Sequence, residues 1–332
     1  MSRAGDEILR VENLLKYYPV EKSFLEKMFS RNRHFVKAVD NISFTVRRGE
    51  IFTLAGESGC GKTTTGKLVL RLTQLTSGHI FFDNTDITAL KGEELRTLRR
   101  KMQMIFQDPY ASFNPRMKIG DTVGHPLQIH GLAKGQEKQK RVFEVLERVG
   151  LSPASKFAKL HPHQMSGGQR QRAAMARSLI LKPEFIVADE PVSMIDVSLR
   201  TSIIDLMLDL QRDMGLTYLF ITHDLAIAKY ISDRIAVMYL GKIVELGDKD
   251  AIFSNPLHPY TKALLAAIPV PNPERKRKET ELIGEVASAV NVPSGCRFHT
   301  RCRYCQPACS EKEPNLIEVS PNHLVACSLS KS

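Results

Sequence analysis

Short apolar runs alternate with amphipathic or charged stretches along most of this chain. The runs predict strands, and those that are apolar throughout are typical of a parallel sheet covered on both faces. The predicted strands are residues 7–18, 38–46, 51–55, 78–83, 102–106, 185–190, 216–221, 235–239 and 242–244. The stretches between them predict helices at residues 64–72, 90–100, 136–149, 166–180 and 201–214. This alternation predicts an α/β domain built on a mainly parallel sheet.

The predicted strands near the start of the chain follow one another without a helix. Only the turn at residues 47–50 separates the strand at 38–46 from the strand at 51–55. We therefore expect an antiparallel sheet attached to the parallel core. Residues 20–36 mix charged and apolar side chains and predict a partly amphipathic insertion.

Composition and charge narrow the class of protein. A chain of 332 residues with 42% apolar residues can bury a sizeable core. No apolar run approaches the roughly 18 to 20 residues that cross a bilayer, and the charged N-terminus lacks a signal-peptide core. The net charge of +11 suggests an anionic partner, but the one dense basic run, residues 275–278, is typical of a solvated linker. We expect a cytosolic chain and no nucleic-acid partner.

The segment at residues 51–64 carries the clearest chemistry. After the apolar strand comes Gly56-x4-Gly61-Lys62-Thr63, and a predicted helix follows at once. Glycines at this spacing let backbone N–H groups point at phosphate oxygens, and the helix N-terminus adds partial positive charge. The Lys62 ammonium group can reach the β- and γ-phosphates, and the Thr63 hydroxyl can bind Mg²⁺. The pattern is a P-loop, and it predicts binding of a nucleoside triphosphate.

Two further features suit phosphate chemistry. Asp189 and Glu190 end an apolar strand, where one acid can hold Mg²⁺ through water and the next can polarise an attacking water. Ser166–Gln169 forms a second anion-binding helix start, about a hundred residues beyond the P-loop. Both helix starts can serve one nucleotide if two chains pair head to tail and each lends its second loop to the other.

In this order, the motifs resemble those of ATP-binding cassette (ABC) ATPases, and the resemblance covers residues 7 to about 250. It implies a P-loop NTPase (RecA-like) core, an antiparallel β subdomain, and a helical subdomain at about residues 108–182 that carries the signature loop. It also implies a set of ATP-binding residues: Tyr18, Gly56, Ser58, Gly59, Gly61, Lys62, Thr63, Thr64, Gln107, Ser166, Gly167, Gly168, Gln169, Asp189 and Asp196. Tyr17 is adjacent to Tyr18 and is the alternative for stacking on adenine.

The same resemblance implies catalytic roles. Glu190 matches the catalytic base and His223 the switch histidine that contacts the γ-phosphate, while Lys62 and Gln107 assist at the phosphates and at the metal. The Mg²⁺ ligands would come from Thr63, Gln107 and Asp189.

Five of the six cysteines lie beyond residue 295, and clustered cysteines in a cytosolic chain suggest a metal or cluster rather than disulfides. Four thiolates suit either an iron–sulfur cluster or Zn²⁺. The region also resembles the C-terminal extension of oligopeptide and dipeptide importer ATPases, which carries a His-Pro-Tyr-Thr segment and then four cysteines. That resemblance selects Cys296, Cys302, Cys309 and Cys327, leaves Cys305 over, and favours a 4Fe–4S cluster. We expect a nucleotide-binding domain at residues 1–255 and a small Cys-rich extension at residues 256–332.

The resemblance implies the ATPase subunit of an ABC importer for peptides, peripheral on the cytoplasmic face of the membrane. Its expected partners are two transmembrane permease subunits, a second ABC ATPase in a heterodimer or homodimer, and an external solute-binding protein. The alternatives are the same machinery importing oligosaccharides or nickel, and a non-transport ABC ATPase acting on nucleic acid or the ribosome.

Overall fold

The computed structural model describes residues 7–20, 35–268 and 288–331. The insertion expected at 20–36 lies almost wholly outside these ranges, and the basic run at 275–278 lies outside them. The described residues form two compact units. We call residues 7–8, 47–50 and 89–220 the first unit and the remaining described residues the second unit.

Strands and helices alternate along the described residues, as the sequence predicts. In chain order the strands are β1 (Glu7–Pro19), β2 (Phe35–Arg47), β3 (Ile51–Ala55), β4 (Ser77–Phe82), β5 (Thr85–Asp86), β6 (Met102–Ile105), β7 (Phe185–Asp189), β8 (Thr217–Thr222), β9 (Arg234–Tyr239), β10 (Lys242–Asp248), β11 (Ile317–Ser320) and β12 (His323–Val325). The helices are α1 (Lys62–Val69), α2 (Gly92–Leu98), α3 (Ile119–Ile129), α4 (Gly135–Arg148), α5 (Ala154–Phe157), α6 (Gly167–Leu179), α7 (Val197–Met214), α8 (Leu225–Ile231), α9 (Lys249–Ser254), α10 (Pro259–Ala266) and α11 (Pro307–Glu311). Single 3-10 turns lie at Pro162–Gln164, His299–Arg301 and Ser328–Lys331.

In the first unit, strands β6, β7 and β8 lie side by side in that order. Strands β6 and β7 are parallel and pair from Met102 with Phe185 to Ile105 with Ala188. Every residue of β7 is buried, as expected for a parallel strand covered on both faces. Helices α3, α4 and α6 pack on one another in the same unit. The apolar face predicted for α4 is buried.

In the second unit, strands β2, β1, β4 and β5 form a four-stranded sheet in that order, with antiparallel pairing of β1 to β4 and of β4 to β5. Strands β11, β12, β10, β9 and β3 are neighbours in another sheet. There β3 runs parallel to β9, and the predicted hairpin of β9 and β10 crosses Gly241. The expected combination of a parallel core and an antiparallel sheet is confirmed.

The C-terminal residues extend this second sheet, which the sequence pattern did not predict. Strand β12 pairs with β10, and β11 pairs with β12, all antiparallel. Both strands are short, with four and three residues, and β11 is mostly exposed, so the local pattern is a weak signal for either. The extension also buries Tyr260 and Phe298 in an apolar cluster with Tyr239. It is therefore built into the second unit.

Two differences from the predicted elements have local causes. Helix α7 begins at Val197, four residues before the predicted start, because Asp196, with φ of −53° and ψ of 139°, is the last non-helical residue before it. Helices α3, α5 and α8–α11 were not predicted, since most are short and α3 contains Pro126. Among the described residues, no helix combines the length and apolar character that a bilayer crossing requires.

Candidate functional site

The loop between β3 and α1 closes around a buried lysine. The Nζ atom of Lys62 donates hydrogen bonds to the carbonyl oxygens of Gly56, at 2.8 Å, and of Glu57, at 2.9 Å. The side chain is only 4% exposed, so its charge is held inside the loop by these carbonyls. A phosphate bound by the loop would meet this ammonium group at close range, where Coulomb attraction is strong.

At two glycines of the loop, any side chain would clash with neighbouring backbone atoms. A Cβ atom on Gly56 would lie 2.3 Å from the carbonyl oxygen of Met238, and one on Gly61 would lie 2.1 Å from that of Ala38. Both residues also have positive φ angles, +147° and +108°. The sequence analysis explained glycine at these positions by the need to curl the backbone around a phosphate. The structure adds a second reason, because neighbouring carbonyl oxygens leave no room for a Cβ atom.

The two candidate adenine-stacking tyrosines differ in their surroundings. The hydroxyl of Tyr17 donates to a carboxylate oxygen of Asp40 at 2.6 Å, and burial together with this carboxylate raises the pKa of Tyr17. The ring of Tyr18 is 37% exposed, with the Nζ atom of Lys16 4.6 Å from its centroid. Of the two rings, that of Tyr18 is the more exposed.

In the first unit, the structure brings together Gln107 and Glu190. The amide Nε2 of Gln107 donates to Oε2 of Glu190 at 2.9 Å. Glu190 has φ of +45°, an unusual conformation for a side chain with a Cβ atom, and such conformations cluster at functional sites. Asp189, the last residue of β7, is 3% exposed. The two carboxylates thus differ in environment, one buried and one half-exposed beside an amide.

The second predicted anion-binding loop is a capped helix start. The hydroxyl of Ser166 accepts from the backbone N–H of Gln169, and the Gln169 side chain accepts from the N–H of Ser166. This capping box fixes the first turn of α6. Arg170 follows, with its guanidinium group 3.5 Å from the ring centroid of the exposed Tyr110.

Asp196 and His223 are both exposed, and they belong to different units. Asp196 precedes α7, and next to it Met194 is 60% exposed and Val197 is 75% exposed. His223 follows β8, and the next residue, Asp224, caps α8 by accepting from the N–H groups of Ala226 and Ile227. Tyr18, the P-loop and His223 lie in the second unit, whereas Gln107, Ser166–Gln169, Asp189, Glu190 and Asp196 lie in the first.

Cys296, Cys302, Cys309 and Cys327, the four proposed ligands, line one small void of about 10 Å³. His258 and Phe298 also line it. A void of this size holds about one water molecule. Burial, followed by the neighbouring sulfurs, raises the pKa of Cys296 to about 11, and burial raises the pKa of Cys302. Cys305 is exposed and does not line the void. Across the described residues, no three His, Cys, Asp or Glu side chains are close enough to hold one metal ion.

Comparison with known proteins gives two family matches along this chain. A family model described as ABC transporter matches residues 39–193, and one described as the C-terminal region of oligopeptide/dipeptide transporters matches residues 244–309. The chain is 46% identical to the oligopeptide transport ATP-binding protein AppF of Bacillus subtilis, over 99% of both chains. It is 47% identical to the probable peptide ABC transporter ATP-binding protein y4tS of Sinorhizobium fredii, over 97% of this chain and 90% of that protein.

The chain belongs to the ATP-binding proteins of ABC transporters. Solved cassettes agree with this family at the level of fold. The dimeric cassette MJ0796, in a post-hydrolysis state with ADP and Pi, is 29% identical with a TM-score of 0.63, over 73% of this chain and 98% of that chain. CbiO1 from Clostridium perfringens, part of the transporter complex CbiONQ, is 26% identical with the same TM-score, over 76% of this chain and 92% of that chain. As an ABC ATPase, this chain hydrolyses ATP.

Three residues that meet at the P-loop of this ABC ATPase were not predicted from the sequence. Glu57 lies within the loop, and the structure places Tyr260 and Arg301 against it. The signals were present in the sequence: Tyr260 belongs to the His-Pro-Tyr-Thr segment, and Arg301 immediately precedes a cysteine. Neither signal says which distant residue is contacted, because 244 positions separate Arg301 from Glu57.

Proposed function

We propose that this chain is the ATPase subunit of an importer for peptides, and that it couples ATP binding and hydrolysis to transport through separate permease subunits. Two relatives that align over nearly its whole length carry peptide or oligopeptide transport in their names. The match at residues 244–309 to the oligopeptide/dipeptide transporter region supports the same cargo class. These relatives favour peptides over oligosaccharides, over nickel and over a role at nucleic acid or the ribosome.

The proposed ATP site uses the residues described above. The P-loop residues Gly56, Ser58, Gly59, Gly61, Lys62, Thr63 and Thr64 bind the phosphates, and Tyr18 stacks on adenine. Thr63, Gln107 and Asp189 supply oxygen donors, the kind that Mg²⁺ takes, and a bound Mg²⁺ neutralises phosphate charge. Glu190 orients the attacking water, and His223 contacts the γ-phosphate. The observation that carries this assignment is the hydrogen bond between Gln107 and Glu190.

We further propose that two ATPase subunits pair head to tail. The loop Ser166–Gln169 of one subunit would then complete the ATP site of the other, with Asp196 near the contact. Next to Asp196, Met194, Val197 and Leu199 are exposed apolar side chains, which a second subunit could cover. A heterodimer with a related ATPase is the proposed pairing, and a homodimer is the alternative.

The cysteines are proposed to hold a 4Fe–4S cluster, with Zn²⁺ as the alternative. Four of the cysteines line one void, and four thiolates are a ligand set that either group takes. The division at residue 255 and the helical subdomain at about 108–182 remain predictions.

The experiment that tests the importer function is purification of this protein from its native membranes in a mild detergent. We expect two permease subunits, a second ATPase subunit and a solute-binding protein to co-purify, and we expect peripheral attachment at the cytoplasmic face. Peptides bound to that solute-binding protein would support the proposed cargo. Recovery with ribosomes or DNA and without permeases would overturn the proposal and leave the ATPase intact.

A further inference from the structure

Glu57, the second residue of the P-loop, is held at two points by the C-terminal segment. Its backbone N–H donates to the hydroxyl of Tyr260 at 3.0 Å. Its carboxylate accepts two hydrogen bonds from the guanidinium group of Arg301, at 2.9 and 3.2 Å. Two parallel bonds of this kind fix the orientation of both side chains as well as their distance. The main chain and the side chain of Glu57 are therefore both restrained from outside the loop.

The Arg301–Glu57 pair is largely protected from water. The side chain of Arg301 is 6% exposed and that of Glu57 is 24% exposed. Burial alone would lower the pKa of Arg301, but the Glu57 carboxylate reverses this effect and raises it. Removing one partner of such a pair leaves the other charge largely buried and unpaired, so breaking it costs more than breaking a surface ion pair.

Glu57 also contacts the lysine of the loop directly. The carbonyl oxygen of Glu57 accepts from Nζ of Lys62 at 2.9 Å. The backbone position that Tyr260 and Arg301 fix is therefore the same position against which the lysine rests. A shift of Glu57 would move the peptide that holds Lys62 and change the shape of the phosphate-binding backbone.

The C-terminal residues that reach the P-loop have a rigid support. The ring of Tyr260 lies 4.7 Å from that of Tyr239, and the ring of Phe298 lies 5.4 Å from both. Tyr239 is the last residue of β9, the strand that pairs with β3 just before the P-loop. All three rings are buried. The aromatic cluster therefore fixes Tyr260 relative to the strand that leads into the loop.

The same C-terminal loop has a second connection, through Arg297, to the segment that carries the adenine-stacking candidates. Arg297 pairs with Asp40 and donates to the carbonyl of Leu240. Asp40 in turn accepts from the hydroxyl of Tyr17, the neighbour of Tyr18. Arg297 and Arg301 are both buried and both lie between Cys296 and Cys302. One short loop thus contacts the P-loop through Arg301 and is linked through Arg297 and Asp40 to Tyr17, the residue next to Tyr18.

We propose that Arg301 and Tyr260 are positioning residues for ATP, which set the shape of the P-loop by fixing Glu57. The C-terminal extension is then a working part of the nucleotide site and not only an appendage of it. This proposal rests on the proposed role of the P-loop, because it assigns a function to residues that act through that loop.

The test measures affinity of the purified full-length protein for MgADP by calorimetry. Arg301→Met is expected to raise Kd about tenfold, within the usual range of coupling between sites. Arg301→Lys keeps the charge but loses the paired geometry, so we expect an intermediate Kd. Tyr260→Phe keeps the buried ring and removes only the hydroxyl, and we expect Kd to rise about fivefold. In hydrolysis assays these variants should raise KM for ATP more than they lower kcat.

Controls separate positioning from a general loss of structure. Lys312→Met removes an exposed positive charge from the same extension, and its Kd should equal that of the wild type. In the double variant Glu57→Gln with Arg301→Met, affinity should fall no further than in Arg301→Met alone, because both changes break one interaction. If Arg301→Met does not fold, Tyr260→Phe decides the question.

The results that overturn the proposal are distinct from those that overturn the ATP site. Wild-type affinity in both Arg301→Met and Tyr260→Phe would overturn it, and so would additive losses in the double variant. Wild-type affinity in Lys62→Ala would instead show that this P-loop does not bind the nucleotide, and the proposed function would fail first.

Discussion

The amide nitrogen of Gln107 lies 2.9 Å from Oε2 of Glu190, although 83 positions separate the two residues in the sequence. The bond uses one carboxylate oxygen of Glu190, whose φ is +45°. The bond orients this carboxylate, as the role proposed for Glu190 in directing a water molecule requires.

Replacing Glu190 by glutamine should abolish ATP hydrolysis while ATP binding persists. The amide keeps the size of the side chain but cannot take a proton from water, and loss of such a base typically costs about 10² to 10⁴ in rate. Steady-state phosphate release and equilibrium ATP binding check the two halves of the prediction. Glu144→Gln, at an exposed position of α4, is the matched control and should keep wild-type turnover. Near-normal hydrolysis by Glu190→Gln would refute the assigned base.

Ser166→Ala should destabilise the start of α6 and weaken ATP-dependent pairing of subunits. The substitution removes the side-chain acceptor for the N–H of Gln169, and loss of such a cap costs about 1 kcal/mol. Ser166→Asn retains a capping oxygen, so it should recover stability in urea unfolding. If the loop also binds a phosphate of the partner's ATP, Asn should restore stability without restoring ATP-dependent dimerisation in gel filtration. Full recovery of both by Asn would contradict a role beyond capping.

The sequence predicted the P-loop, the paired carboxylates and the parallel strands because each depends on local spacing. Gly56, Lys62 and Glu190 could be identified in this way, since the chemistry restricts the residue type at each position. The bond from Gln107 to Glu190 and the contacts of Glu57 could not be predicted from local pattern, because they join residues that only the tertiary fold brings together. Strands β11 and β12 escaped prediction because they are short: β12 is a strand through its pairing with β10, and β11 through its pairing with β12.

Stability should fall as pH is lowered from 7.5 to 5.5, and His258 should carry part of that loss. Burial lowers the pKa of His258 to about 3, and its Nδ1 accepts from the N–H of Tyr260, so the folded protein holds this ring neutral. In the unfolded chain the pKa is about 6.5, so the unfolded state binds the extra proton as pH falls through that value. Between pH 7.5 and 5.5, this difference in proton binding lowers the free energy of unfolding by about 1.4 kcal/mol.

His258→Asn supplies the comparison for this pH effect. Asparagine can still cap α10 but does not titrate, so the variant should lose less stability over the same pH interval. Urea unfolding at pH 7.5 and at pH 5.5 gives, for each protein, the loss in free energy of unfolding between the two pH values. The loss in the wild type is then compared with the loss in His258→Asn. Equal losses in the wild type and in His258→Asn would contradict the buried neutral histidine.

Protein purified without oxygen should contain iron and acid-labile sulfide, and the cysteines that line the void should be required for both. Cys302→Ser removes one proposed thiolate ligand and should strongly reduce the iron content, because serine is a poor substitute for sulfur at such a cluster. Cys305→Ser is the matched control: it makes the same chemical change three residues away at an exposed cysteine outside the void, so iron content should be unchanged. Metal analysis showing zinc without iron would replace the cluster by the Zn²⁺ alternative, and equal iron in both variants would show that the void is not the site.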